Sequence, residues 1–121
     1  NSALNPELTP LASADEEYFT ISGGHCTHIG KMYIIHLEIL TEKQIGANYD
    51  TGNGHGPRVA QGLPFTWKYT FNFSATLSDN SEIILLAAQG ENNLRLNAAN
   101  PLLPAGRRII ANFSIPENYV S

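Results

Sequence analysis

Six side chains have the types and the spacing to hold a sugar: Tyr49, Asp50, Asn53, His55 and Arg58 fall in one short window, and Trp67 follows it. Sugars are held by an aromatic face laid on apolar C–H patches, with Asp, Asn, Arg or His groups hydrogen-bonding the hydroxyls. The window contains all of these types. A plainer reading stands beside this one: Trp67 closes one end of a core, and Tyr49 to Arg58 is a solvated loop without a ligand.

Other chemistry has less to build on. His25-Cys26-Thr27-His28 has the form of half a metal site, since imidazoles and a thiolate are zinc ligands. In a strand His25 and His28 point to opposite faces, and no second ligand pair lies nearby in sequence. Ordinary strand histidines, a small buried thiol and no metal or other cofactor are expected; a metal on a trimer axis, taking one His per subunit, escapes the spacing rule. There is no G-x-S-x-G elbow, no H-E-x-x-H and no Walker loop. Glycoside hydrolysis needs two carboxylates about 5 to 10 Å apart, which Glu38, Asp50, Glu82 or Glu91 would have to supply. The expectation is a protein that is not an enzyme. Asn72-Phe73-Ser74 and Asn112-Phe113-Ser114 match the glycosylation acceptor pattern, but both fall within predicted strands, where chance is the better explanation.

The elements that must position these residues read as an all-β domain. The chain has 121 residues, enough for one core that buries roughly 65% of the unfolded surface. Its net charge is −4 and its longest basic run is Arg107-Arg108, so the footprint of a nucleic-acid binder is missing. Charged residues make up 15% of the chain, below the usual fraction, while Asn, Ser, Thr and Gly are plentiful. Such a surface suits sugars and water better than ions. The single Cys26 rules out an internal disulfide and argues against a eukaryotic secreted module. No stretch approaches the roughly 20 apolar residues that span a bilayer, so membrane insertion is not expected.

Trp67 to Gln89 carries the clearest signal. Phe71, Phe73, Ala75 and Leu77 alternate with Asn72, Ser74 and Thr76, a period of two with one face buried. Ser78-Asp79-Asn80-Ser81 then supplies turn chemistry before Ile83-Ile84-Leu85-Leu86, which predicts an antiparallel hairpin. Upstream, residues 1–16 contain Pro6 and Pro10 and no period, and read as a neck or linker to a longer polypeptide, with a capping-box helical turn possible from Ser13. A first strand over Glu17 to Ile21 is expected to close at Gly23-Gly24. Gly30-Lys31 predicts a hairpin turn into Met32 to Leu40, with Tyr33, Ile35, Leu37 and Ile39 facing the core and Met32, Ile34 and Leu40 left for a neighbouring subunit. Thr41 to Arg58 loses all period and holds four glycines between Gly46 and Gly56, predicting a long mobile loop; a short strand is expected at Arg58 to Gln61. Leu94 to Asn97 and Arg107 to Ile115 are the remaining strands, the last with Ile109, Ala111, Phe113 and Ile115 inward. The fold expected for residues 17–121 is a compact antiparallel β-sandwich or barrel of jelly-roll type.

Laid out in this way, the chain resembles the C-terminal head domain of bacteriophage tail-fibre and baseplate receptor-binding proteins. The likeness lies in Ile29-Gly30-Lys31-Met32-Tyr33-Ile34-Ile35 as a Gly-Lys hairpin into an apolar strand, Gly62-Leu63-Pro64 before the aromatic strand, Ser81-Glu82-Ile83-Ile84-Leu85 after a polar turn, and a terminal strand that ends shortly after Ile115. It covers residues 17–121. The resemblance implies a homotrimeric adhesin on the virion tail, outside the cell, joined to the rest of the tail or baseplate through its N-terminal neck and binding saccharides of the host cell surface. The loop from Gly46 to Pro57 aligns with no family pattern, so no ligand residue is carried over from the family. Two further readings are a structural or trimerising virion module without a ligand, and a polysaccharide-degrading domain.

Overall fold

The computed structural model of the protein describes residues 6–121. Almost all of its regular structure is antiparallel strand: β1 (Glu7–Pro10), β2 (Ala12–Ser13), β3 (Phe19–Ile29), β4 (Met32–Thr41), β5 (His55–Gln61), β6 (Phe71–Leu77), β7 (Glu82–Ala87), β8 (Asn93–Asn97) and β9 (Arg108–Pro116), then a 3₁₀ turn over Glu117–Tyr119. The strands form one sheet in the order β1-β3-β4-β9-β6-β7-β8-β5-β2. β1 and β2 are successive pieces of one segment parted only by Leu11, yet they pair with opposite edges of the sheet, β3 and β5. Leu11 also donates its N–H to Gly24 O at 3.0 Å, so one segment ties both edges and the sheet is nearly closed into a barrel. Of the two expected architectures, the barrel is the one found.

That closure corrects the reading of residues 1–16 as a neck. Residues 1–5 lie outside the described residues, but Glu7 to Ser13 are built into the sheet. Ser13 Oγ accepts the Ile21 N–H at 2.8 Å, and Gln61 Nε2 donates to Ser13 O at 2.9 Å, so this residue alone joins β3 to β5. Pro10 does not forbid the strand because β1 lies at an edge, where a missing N–H is tolerated. A single helical turn does follow, with Asp15 O accepting from Tyr18 and Phe19 at 3.0 and 3.1 Å, but Ser13 is occupied with Ile21 and does not cap it.

The core follows the period-two pattern. Ile35, Leu37 and Ile39 of β4 are fully buried, and each such side chain contributes roughly 1.5–3 kcal/mol of burial. Ile109, Ala111 and Ile115 of β9 lie beside them, opposite Ile39, Leu37 and Tyr33. The hairpin of β6 and β7 is present with Ala75 opposite Ile83 and Thr76 opposite Glu82, and Asn80 supplies the left-handed turn residue at φ 70°. Gly30, at φ 59°, turns β3 into β4 as expected.

Gly23 and Gly24 do not end a strand. β3 runs through both and shifts register between Ile21 and Gly23, a bulge that lets a long strand bend around the barrel. A Cβ on Gly24 would sit 3.1 Å from Leu37 Cδ2 and 3.2 Å from Ile21 Cγ2, a tight fit that those side chains would have to yield to by a few tenths of an ångström. On the outer face Ile34 is 38% exposed, Ile84 40% and Ile110 50%, while Met32 and Leu40 are half-buried.

Candidate functional site

The loop between β4 and β5 is pinned at both ends. Ile45 is buried and exchanges two backbone hydrogen bonds with Leu103, at 2.9 and 2.8 Å, and Asn48 N–H donates to Asn100 O at 3.0 Å. β5 begins at His55, earlier than the Arg58 expected, because the chain turns back on itself: Thr51 N–H donates to His55 O at 2.7 Å and His55 N–H to Gly52 O at 3.0 Å. Asp50 organises the tip of this turn. Its Oδ1 accepts the Gly52 N–H at 2.7 Å and its Oδ2 the Gly54 N–H at 3.1 Å. Asn48 and Asn53 take left-handed conformations at φ 53° and 57°, which asparagine tolerates better than most residues.

Beside the turn lies a shallow depression of about 370 Å3, lined by Asn48, Asp50 and Gly54 on one side and by Asn97, Ala98 and Ala99 on the other. The second wall comes from the end of β8, which pairs with β5 through Asn97 and His55. Asn97 is held in place, with its Nδ2 donating to Asn72 Oδ1 at 2.9 Å and its Oδ1 accepting the Ala99 N–H at 2.8 Å. Tyr49, between two of the lining residues in the chain, is 40% exposed. Its ring lies 6.0 Å from that of Tyr18 at 59°, and the Tyr18 hydroxyl reaches the Tyr49 hydroxyl at 3.4 Å. That contact, with burial and the nearby Glu17 carboxylate, pushes the Tyr18 phenol up to about 12.

Four of the six expected residues, Tyr49, Asp50, Asn53 and His55, therefore share one turn. The other two do not join them. Arg58 is exposed and ties β5 to the N-terminal turn, its N–H donating to Asp15 Oδ2 at 2.6 Å and its Nη2 lying 3.7 Å from Asp15 Oδ1. Trp67 sits beyond the far end of β5, a strand of 7 residues that spans roughly 20 Å. It is 1% exposed, its Nε1 donates to Asn93 O at 2.8 Å, and Phe65, Phe71 and Phe73 surround its ring at 5.0, 5.2 and 5.9 Å. It offers no face to a ligand and closes one end of the core. Nor does it begin the aromatic strand, which starts at Phe71.

Of the lining residues, Asn48, Gly54, Asn97, Ala98 and Ala99 are not among the expected ones. The pairing of His55 with Asn97 brings the second wall in, and nothing local in either segment announces that pairing. Support from beneath comes from Arg95, whose Nη1 donates to Gly56 O at 3.2 Å and whose Nε meets Glu91 at 2.7 Å. Burial pushes the Glu91 carboxyl up, but the Arg95 guanidinium outweighs it and leaves the group below its ordinary range. The possible half metal site is dispersed: Cys26 is buried with its thiol pushed up to about 11 by burial, His25 lies against His36 at 5.4 Å, and His28 stacks on Tyr33 at 4.2 Å. Among the described residues no group of three or more His, Cys, Asp and Glu side chains is placed to hold a metal ion.

Chemically the turn is an acceptor site. A carboxylate has about four lone-pair positions, and the two loop N–H groups leave others facing outward. Hydroxyl donors there would make charge-assisted hydrogen bonds worth about 1.5–3 kcal/mol each. No protein-family model matches the chain, and no curated protein or solved structure matches it.

Proposed function

We propose that this domain is a non-enzymatic saccharide-binding head, with its site at the Tyr49 to His55 turn and the wall formed by Asn97 to Ala99. The observation that carries the reading is the fixed Asp50 carboxylate on the rim of an open depression whose other side-chain polar groups are the neutral amides of Asn48 and Asn97. A pyranose needs such an acceptor for adjacent hydroxyls, neutral amides for the rest, and an aromatic face; the aromatic residue of this turn is Tyr49, 40% exposed and next in the chain to the lining residues Asn48 and Asp50. With the resemblance to phage receptor-binding heads, the ligand is a polysaccharide of a host cell surface, and the domain acts on the virion tail. Titration with host cell-wall polysaccharide tests this: Tyr49→Ala, and Asp50→Asn, which keeps an acceptor oxygen for the turn N–H groups, should each weaken binding about tenfold or more, the loss of one strong contact, with the barrel still folded by circular dichroism. Full affinity in both variants would remove the site from the account.

A second reading, a trimerising structural module, draws on the exposed Ile34, Ile84 and Ile110 of the outer face. Exposed apolar side chains mark subunit contacts where they join into one patch. Sedimentation of the domain together with silence across host glycans would favour this module over the adhesin.

A further inference from the structure

Two turns of the barrel share an arrangement that the binding reading does not require. In the first, Asn53 is left-handed at φ 57° and the next residue, Gly54, gives its N–H to Asp50 Oδ2 at 3.1 Å. In the second, Asn80 is left-handed at φ 70° and the next residue, Ser81, gives its N–H to Asp79 Oδ1 at 3.0 Å. All four of Asp50, Asn53, Asp79 and Asn80 are exposed to water. Asn53-Gly54 is the one Asn-Gly step in the chain, and glycine opposes ring closure least because it has no side chain. An asparagine before a small residue converts when the following backbone nitrogen, deprotonated, attacks its Cγ. The new N–Cγ bond closes a succinimide, the Cγ–Nδ2 bond breaks and ammonia leaves. Water then opens the ring at either carbonyl, giving aspartate or isoaspartate. Net, one amide and one water become one acid and one ammonia.

We propose that Asp50 and Asp79 each protect the asparagine of their own turn, Asn53 and Asn80, by holding the backbone N–H that would attack it. A carboxylate accepting an N–H stabilises the protonated amide and repels the anion that ring closure needs. It also fixes the nitrogen in the turn, away from the swing onto Cγ. Asn53 is thus a latent modification site in the turn that Asp50 holds, and conversion would add a second negative charge to that turn. The test is peptide mapping after incubation of the whole chain at mildly alkaline pH, reading the amide-to-acid mass gain at Asn53 and Asn80. In the folded protein both should convert about tenfold or more slowly than in the urea-unfolded chain, the worth of one charge-assisted hydrogen bond. Asp50→Ala should speed Asn53 and leave Asn80 unchanged; Asp79→Ala should do the reverse. Each variant's untouched turn reports that the barrel still folds, and Asp50→Asn, which keeps an acceptor oxygen without the charge, should fall between. Equal rates in folded and unfolded protein, or no local acceleration in either variant, would overturn the proposal. Because the readout is covalent, it holds or fails independently of saccharide binding.

Discussion

The rings of Phe73 and Phe113 lie 4.3 Å apart across the place where β6 and β9 stop pairing. The ladder between these strands consists of Thr76 with Ile110 and Leu77 with Ile109, and continuing that register sets Phe73 opposite Phe113. Each phenylalanine is the middle of an Asn-Phe-Ser tripeptide, so two identical tripeptides face each other in antiparallel sense. Where the hydrogen-bonded ladder ends, aromatic packing takes over as the link between the strands. Phe113→Ala should cost about 3 kcal/mol in urea unfolding, at the low end for phenylalanine because the ring is half-buried. A double-mutant cycle with Phe73→Ala should give a coupling of about 0.5–1.5 kcal/mol, and strict additivity would show that the rings do not act as a pair.

Trp67 should behave as a core residue. Trp67→Phe removes the Nε1 hydrogen bond to Asn93 O in a buried setting, which costs about 1–3 kcal/mol beyond the lost ring volume. The variant should melt earlier and keep its ligand affinity. Unchanged melting with loss of ligand would return Trp67 to the binding surface.

Gly56 lies within β5 at the base of the site, and a Cβ there would fall on the Leu96 backbone carbonyl. Backbone cannot step aside as a flexible side chain can. Gly56→Ala should therefore destabilise by about 1–3 kcal/mol, and it should disturb the Asn97 wall before the far end of the barrel. Amide exchange rates read residue by residue would show whether the loss is local in this way.

Acid should loosen the turn at Asp79. The Ser81 hydroxyl, then the Ser81 N–H, then Arg107 hold the Asp79 carboxyl below the ordinary carboxylate value. A carboxylate with a depressed folded-state pKa contributes stability that is fully present above its unfolded value and is lost as the pH falls through its folded value. Stability should thus be level near neutrality and drop below about pH 4, the ordinary carboxylate range. Asp79→Asn should flatten part of that acid slope in urea midpoints measured against pH, and an unaltered slope would assign it to other carboxylates.

Cys26 should be inert while the barrel is closed. Burial raises its thiol to about 11, so little thiolate exists near neutral pH, and the side chain is 1% exposed. Alkylation should be slow in buffer and fast in urea; rapid modification of the native protein would mean that β3 opens readily.

What was legible beforehand was whatever the period of two and the turn chemistry could carry. The β6–β7 hairpin, the Gly30-Lys31 turn and the inward faces of β4 and β9 each have a local cause in side-chain alternation or turn residues. Most departures from the sequence reading come from partners distant in sequence; the early start of β5 at His55 comes from a local turn. Gly23 and Gly24 look like a stop until pairing with β4 carries β3 through them, with a register shift just before Gly23. Glu7 to Ser13 look like a linker until β3 and β5 present two edges for them to join. At the candidate site, Tyr49, Asp50, Asn53 and His55 are legible together because they lie in one short window, but the Asp50 bonds to Gly52 and Gly54 that order the expected mobile loop are not. Asn97 is not, because it arrives through strand pairing; Trp67 carries two readings in the sequence, and the structure places it in the plainer one, closing one end of the core with the length of β5 between it and the turn.

The most direct measurement is an amide chemical-shift map of the domain titrated with host cell-wall oligosaccharide. The account predicts perturbations concentrated in residues 48–55 and 97–99, with the aromatic end around Trp67 silent. Shifts confined to that aromatic end or to the outer face around Ile34 and Ile110, or none at saturating ligand, would contradict it.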